Sequence, residues 1–453
     1  MISPRFVYGQ WGRLPYIHRT VKHSFVKGDA MRTYFNDTRD WFMNKRFGLF
    51  VHWGIYAVGA WHEQHQFRLG MARAEYAPFM KQFNPKRFDP DTWLDIMQEA
   101  GMEYLTFTTK HIDGFCMWDT KATDYNVMHT PYGKDILRMV ADACHRRDIP
   151  PCLYYSVADM HHPNYPNAGR SYELSAPEKG DTPDEEKYMD FVKAQVRELC
   201  TDYGAIHGFW WDAHMFGRKD PSVNAMIRSL QPFAVIDGRG FDEGDFATPE
   251  RDWDESVHSM RSFTRPIEAC QSVGKQSWGY RDYEDFYSDR HLIASMDNMF
   301  AKGGNYLLNV GPNADGVITQ EYADIVRRTG AWYRRVREAF EDTKVMPLND
   351  DTNIMITRRG NTLYVHLIRP PETNAVILRP LDVMPKSARI LNTGEAASVR
   401  IELLPWHHKD KKPYLRIADL PVNEHANTVL VVRLDLDTLP EKIETIAAEN
   451  IVA

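Results

Sequence analysis

The segment Gly208-Phe209-Trp210-Trp211-Asp212 closes an apolar run on a single carboxylate preceded by two indoles. A buried barrel strand that delivers a catalytic group at its C-terminal end reads this way. Large aromatics beside an acid also suit a sugar: the rings stack on C–H faces while the carboxylate meets the anomeric carbon. The plainer alternative is an Asp that caps the next helix. Other apolar runs also end in polar groups. His52 follows Phe50-Val51, His111 follows Thr108-Thr109-Lys110, Tyr154 and Tyr155 end a third run, and Arg239 follows Val235-Ile236-Asp237-Gly238. Each alone reads as a satisfied structural residue. Together, at the ends of barrel strands, they converge on one pocket and offer the donors that a hydroxyl-rich ligand needs.

Glycosidic cleavage through a covalent intermediate needs a second carboxyl group about 5 to 5.5 Å from the nucleophile. The region after Arg239 offers Asp242, Glu243, Asp245, Glu250, Asp252, Asp254, Glu255 and Glu268. Solvated surface is the default for such an acidic stretch. Glu250, in Ala247-Thr248-Pro249-Glu250, and Glu268, in Pro266-Ile267-Glu268-Ala269-Cys270, are the best placed, and spacing alone does not rank them. Metal chemistry is the competing reading, because the 18 histidines include His161-His162, His258 and His407-His408. No HExxH and no Cys/His quartet accompanies them, so no metal is assigned. No glycine-rich phosphate loop follows a strand, so no nucleotide cofactor is expected.

The elements that must position these groups alternate. From Trp41 to about Val345, apolar runs such as Phe47–Val51, Tyr104–Phe107, Pro151–Tyr155 and Ala234–Ile236 are separated by helical patterns. The clearest are Pro90 to Ala100, Asp135 to Arg147 and Glu185 to Tyr203. Strand and helix in series mean parallel strands with crossovers, and over about 300 residues a (β/α)8-like TIM barrel is the natural closure. Residues 1–345 are therefore assigned to a catalytic barrel whose first 35 or so form an N-terminal extension. Past Met346 the strand-like runs Asn353–Thr357, Thr362–Leu367, Ala375–Leu378 and Thr428–Val432 follow without long helices. Residues 346–438 are read as an antiparallel β-sandwich and 439–453 as a tail.

The 453 residues are more than one ordinary domain requires. The chain carries 55 basic and 62 acidic side chains, a formal charge of −7 without a basic block, which argues against nucleic acid. Five cysteines without a CxxC pair suit a reduced, disulfide-free protein. Met1 to Thr20 has no apolar leader core, and no later run is long enough to span a bilayer. The chain as written is expected in the cytoplasm, or outside it if a leader was removed, with no membrane partner. Homo-oligomerisation stays open.

Several segments together resemble the α-L-fucosidases of glycoside hydrolase family 29. They run from Trp41-Phe42 through Phe47–Gly54 and Tyr56, then Lys110-His111-Ile112-Asp113-Gly114-Phe115, Tyr154-Tyr155-Ser156 and Trp210-Trp211-Asp212. Ser277-Trp278-Gly279-Tyr280 and Lys302-Gly303-Gly304-Asn305-Tyr306-Leu307-Leu308-Asn309-Val310-Gly311-Pro312 complete the set. The resemblance implies a barrel followed by a β-sandwich, and a retaining, cofactor-free exo-glycosidase acting on fucosylated oligosaccharides or glycosides. It places the nucleophile at Asp212 and sugar-binding groups at His52, Glu63, His111, Tyr155, Trp210 and Arg239, with Trp278 near the C5-methyl. It offers Glu250, narrowly preferred, or Glu268 as the acid/base. Two departures stand out. Family members generally have His-His where this chain has His111-Ile112, and Glu-Trp-Tyr where it has Glu63-Gln64-His65. Both fall where a sugar's O3 and O4 are held, so L-galactose or a substituted fucose is the alternative substrate. A sugar-binding protein without catalysis is the remaining alternative.

Overall fold

The computed structural model describes residues 34–251, 262–346, 353–379, 381–405, 408–409 and 411–439. Most of the N-terminal extension and the tail, together with Asp252, Asp254, Glu255, His258 and His407, lie outside the described residues.

Seven strands form one parallel sheet: β1 (Phe47–Val51), β2 (Tyr104–Lys110), β3 (Pro151–Ser156), β4 (Gly208–Asp212), β5 (Val235–Ile236), β6 (Glu268–Ser272) and β7 (Asn305–Val310). Their order across the sheet is β5-β4-β3-β2-β1-β7-β6. Nearly every strand residue is buried, as expected where helices cover one face and a packed barrel interior the other. The helices of the outer layer are α1 (Pro90–Glu99), α2 (Ile136–Arg146), α3 (Glu185–Asp202), α4 (Pro221–Leu230), α5 (Asp289–Ala301) and α6 (Gln320–Val336). Side chains of Asp89, Asp135, Asp184, Asp220 and Ser288 cap the first five by accepting first-turn amides. The helix after β4 is therefore capped by Asp220, which leaves Asp212 free of that duty.

An irregular stave fills the gap between β5 and β6. The amide of Gly238 donates to Phe246 O at 2.9 Å, Glu268 N to Ala247 O at 2.9 Å, and Cys270 N to Pro249 O at 3.0 Å. Parallel bridges join Asp237 to Phe246, Ala247 to Ile267 and Glu250 to Cys270. The barrel thus closes through residues 245–251, and this eighth stave carries Glu250.

Side chains alternate between the barrel interior and the helix layer. Phe50, Tyr154 and Trp210 share an interior cluster with Phe42 and Leu307, whereas Leu49, Tyr155 and Trp211 join the outer core. Room inside is limited: a Cβ on Gly48 would lie 2.6 Å from the Tyr104 ring.

From β8 (Lys344–Val345) onward the pairing is antiparallel. Strands β9 (Met355–Arg359), β10 (Thr362–His366), β12 (Ser387–Ile390) and β15 (Val431–Asp435) complete a five-stranded sheet of order β12-β15-β10-β9-β8. A second sheet has the order β11-β14-β13, from Val376–Leu378, Tyr414–Ala418 and Ser398–Glu402. Leu363, Val365, Val432 and Leu434 of the first sheet pack on Leu378, Leu415 and Ile417 of the second. The opposite face of the larger sheet meets the barrel's helices. His366 Nδ1 lies 2.8 Å from Asp297 Oδ1 on α5, and Trp332 of α6 donates to Val429 O at 2.8 Å.

Candidate active site

Every polar group singled out at a strand end, save Tyr155, lies at the C-terminal mouth of the barrel around a cavity of about 750 Å³. At its floor, Asp212 and Glu250 share one guanidinium nitrogen. Arg239 Nη1 is 3.1 Å from Asp212 Oδ1 and 2.5 Å from Glu250 Oε1, so those oxygens lie no further apart than the sum of the two, about 5.6 Å. That bound matches the separation of carboxyl groups in retaining glycosidases, about 5 to 5.5 Å, rather than the wider gap of inverting ones. Arg239 is itself fixed: its plane lies 4.5 Å over the Trp210 ring, and Nη2 donates to Thr248 O at 2.7 Å. Tyr154 donates its phenolic hydrogen to Asp212 Oδ2 at 2.6 Å.

The two carboxyl groups sit in different electrostatic surroundings. Burial holds Glu250 above the usual carboxylate range; Arg239 opposes this and the adjacent Asp212 reinforces it. Glu250 is thereby suited to carry a proton, while Asp212 accepts hydrogen bonds from the Tyr154 phenol and the Arg239 guanidinium. The residues that follow each carboxylate, Ala213 (φ 49°) and Arg251 (φ 50°), both have left-handed backbone, rare outside glycine and frequent at functional sites. Arg251 also clamps the next loop, donating to Gly274 O at 2.9 Å and lying 4.4 Å from the Trp278 ring centroid.

The buried end of the cavity is lined by His52, Glu63, His111, Ile112 and Phe50, with Trp278 along one side. His52 Nδ1 is 2.6 Å from Asn309 Oδ1, and Asn309 Nδ2 donates to Trp278 O at 2.7 Å. Oδ1 is therefore the acceptor, so His52 Nδ1 carries the hydrogen and Nε2 is left as an acceptor. Burial, with His111 adding to it, pushes His52 down to about 3, and burial lowers His111 too, so both are neutral imidazoles at neutral pH. Glu63 Oε2 accepts from the Ser277 hydroxyl at 2.7 Å and from the amides of Trp278 at 2.9 Å and Gly279 at 3.3 Å. Burial alone would raise Glu63, but His62, His111, His52 and the Ser277 hydroxyl outweigh it and hold the carboxyl at about 2. Glu63 Oε1 and His111 Nδ1 are buried at this end with no hydrogen-bond partner among the described residues, which is the arrangement a bound hydroxyl would complete.

Two sequence assignments need correction. Tyr155 faces outward and donates to Gln195 Oε1 on α3 at 2.7 Å; Tyr154 lines the cavity instead. The reason is strand parity: Tyr154 pairs with Trp210 and Ser156 with Asp212, so the interior set on β3 has the parity of Tyr154. Glu268 begins β6, at the opposite end of the strand from the cavity. Its Oε1 accepts from Tyr104 at 2.6 Å and its Oε2 from Trp210 Nε1 at 3.1 Å, so it holds the floor of the site in place. Of the two departures, Ile112 and Gln64 do line the cavity, whereas His65 packs against Trp61 and Phe79. Asn309, Ser277 and Arg251 are contributors that sequence reasoning missed. Asn309 lies within the matched Leu307-Leu308-Asn309 run, where a polar residue in a buried strand was the available signal. Among the acids after Arg239, Asp242 receives Asn224 and Asp245 pairs with Arg39 and Arg228, away from the cavity. All five cysteines are free and buried.

Fold and site together define a barrel glycoside hydrolase of the two-carboxylate kind. The chain belongs to the α-L-fucosidase family, whose sequence profile matches residues 22–338. Among solved structures, α-L-fucosidase isoenzyme 1 from Paenibacillus thiaminolyticus is 31% identical with a TM-score of 0.78, covering 89% of this chain and 99% of that one. A family 29 α-L-fucosidase of Bacteroides thetaiotaomicron, trapped as a covalent intermediate with 2-fluoro-fucosyl fluoride in a glutamate-to-glutamine mutant, is 25% identical with a TM-score of 0.74 over 90% and 98% of the two chains. Tissue α-L-fucosidase of Rattus norvegicus is 27% identical over 371 residues, 75% of this chain and 78% of the rat protein.

Proposed function

We propose that this protein is a retaining exo-α-L-fucosidase in which Asp212 is the nucleophile and Glu250 the acid/base. The observation that carries the reading is the shared Arg239 nitrogen, which holds an oxygen of Asp212 and an oxygen of Glu250 within about 5.6 Å of each other, close enough to support a nucleophile and acid pair. An Asp212 oxygen bonds to the anomeric carbon as the glycosidic C–O bond breaks, and Glu250 gives its proton to the departing oxygen. Water then attacks the same carbon, Glu250 takes its proton, and the bond to Asp212 breaks, so two inversions give net retention. The covalent fucosyl intermediate of the Bacteroides relative supports the same course here. Asp212→Ala is expected to lower turnover by about a thousand-fold or more while the chain stays folded, with azide restoring part of it as a glycosyl azide. Near-normal hydrolysis by that variant would remove the assignment.

A second substrate reading rests on Ile112 and Gln64, both on the cavity wall. An apolar side chain at Ile112 removes a hydroxyl partner and favours a fucose substituted at that hydroxyl; L-galactose, which differs from L-fucose by a hydroxyl at C6, is the other candidate. A panel of aryl glycosides decides: α-L-fucoside turned over far better than every other member ends this second reading.

A further inference from the structure

The cavity is graded by burial. Phe50, His52, Glu63, His111 and Ile112 are its buried part, and Tyr172, His214 and Met215 form a half-buried rim. A terminal sugar fits the buried part, so whatever it is attached to must leave across the rim. Tyr172 stands there on the loop between β3 and α3. Its backbone φ is +65°, a conformation that costs an aromatic residue energy and persists only where surroundings enforce it. The loop does enforce it. The buried carboxylate of Glu173 accepts from Tyr165 Oη at 2.8 Å and from the amides of Ala168 at 3.0 Å and Arg170 at 3.1 Å, and it pairs with the Arg170 guanidinium at 2.8 Å. Asn167 Oδ1 receives the Leu174 amide at 3.0 Å, and Gly169 N donates to Leu174 O at 3.1 Å. The Tyr172 ring is braced by Phe67 at 5.5 Å. Burial raises its phenol above the ordinary range, with Asp212 and Glu250, which line the same cavity, adding to the push.

We infer that Tyr172 is the stacking platform for the leaving group, taking the C–H face of the pyranose that departs from the anomeric carbon. A rigid aromatic side chain at the rim of the cavity that holds Asp212 and Glu250 is suited to this: stacking needs no matched hydroxyl pattern, and a fixed loop loses little freedom on binding. The inference rests on the retaining fucosidase reading.

The test compares two substrates with the same sugar: α-L-fucosyl fluoride, whose leaving group is too small to reach Tyr172, and an α-L-fucosyl disaccharide. Tyr172→Gly is the informative variant because glycine is at home at positive φ, so the ring goes without added backbone strain. The expected result is that kcat/KM falls about ten-fold more on the disaccharide than on the fluoride, chiefly through KM. Tyr172→Phe should keep the wild-type ratio, since the ring face and not the hydroxyl makes the contact. An unchanged substrate ratio in Tyr172→Gly overturns the inference, as does a Phe variant impaired as selectively as the Gly variant. A wild-type enzyme that fails on the fluoride itself would overturn the fucosidase reading, and with it the role given to Tyr172.

Discussion

Tyr154 and Asp212 are joined across neighbouring strands by a 2.6 Å hydrogen bond, the phenol donating to Oδ2. The bond exists because Tyr154 stands opposite Trp210 and thus shares the inward parity of Asp212. A phenol at that distance fixes the carboxylate's rotation, so that its other face is presented to the cavity. Tyr154→Phe is expected to lower kcat about 10- to 100-fold with little change in KM, the range for a hydrogen bond to a charged group. Tyr155→Phe should alter stability slightly and kinetics hardly at all, because its hydroxyl donates to Gln195 in the helix layer, away from the cavity. Steady-state kinetics on an aryl fucoside separates the two, and equal effects would contradict the parity argument.

Glu250 must be protonated in the first step, and burial lifts its carboxyl above the usual range. Activity should therefore fall on the alkaline side as Glu250 loses its proton, and that limb should disappear in Glu250→Ala. The same variant should be crippled on substrates with poor leaving groups, by about 10²- to 10⁴-fold, and much less affected on activated aryl fucosides, which depart without protonation. The measurement is kcat/KM against pH for both substrate kinds. Equal and mild losses on both would remove Glu250 from the role.

The legible parts of this chain are those where local pattern and tertiary placement agree. Apolar runs such as Phe47–Val51 and Gly208–Asp212 become buried parallel strands because either face of a barrel strand requires apolar groups. Parity within a run is also written in sequence, and Asp212 could have chosen Tyr154 over Tyr155 once the two runs were taken as neighbours. The eighth stave was not legible. Residues 245–251 include Pro249 and two acids, Asp245 and Glu250, a composition that reads as loop, and only hydrogen bonds to β5 and β6 on either side make it part of the wall. That is why Glu250 and Glu268 were inseparable by spacing: the deciding fact is which end of a strand each occupies, and it depends on an irregular segment. The β-domain shows a related limit: Ser398–Glu402 alternates Val399 and Ile401 with polar residues, yet the run is short and half-exposed.

Glu268 yields a stability prediction. Burial raises its carboxyl from an ordinary 4.5 to about 8, opposed by the bonds from Tyr104 and Trp210. The native state therefore prefers the protonated acid. Its contribution to stability is complete below 4.5 and is lost as pH rises through about 8, where the unfolded chain gives up the proton more readily. Glu268→Gln copies the neutral acid: its amide can donate to Tyr104 Oη while its oxygen accepts from Trp210. Thermal melts from pH 5 to 9 should show the wild type losing stability with rising pH more steeply than Glu268→Gln. At pH 6 the variant should retain activity within about three-fold of the wild type, far short of the loss expected for an acid/base. A loss of two orders of magnitude there would return Glu268 to the chemistry.

Asp297 and His366 join the barrel to the sandwich. Both side chains are fully buried, 2.8 Å apart, and His366 Nε2 is bonded in turn to Thr357 Oγ1 at 3.1 Å. Removing either partner strands the other in an apolar interface, at a cost of about 1–3 kcal/mol for an unsatisfied buried group. Asp297→Ala and His366→Ala should each lower the melting temperature. The double variant should cost clearly less than the two singles added together, because the second removal deletes a group already without its partner. Neither residue lines the cavity, so kcat/KM on an aryl fucoside at 25 °C should stay near wild type in both. Calorimetry of the four proteins measures the coupling. Additive losses would mean that the contact, though buried, contributes nothing specific to holding the two parts together.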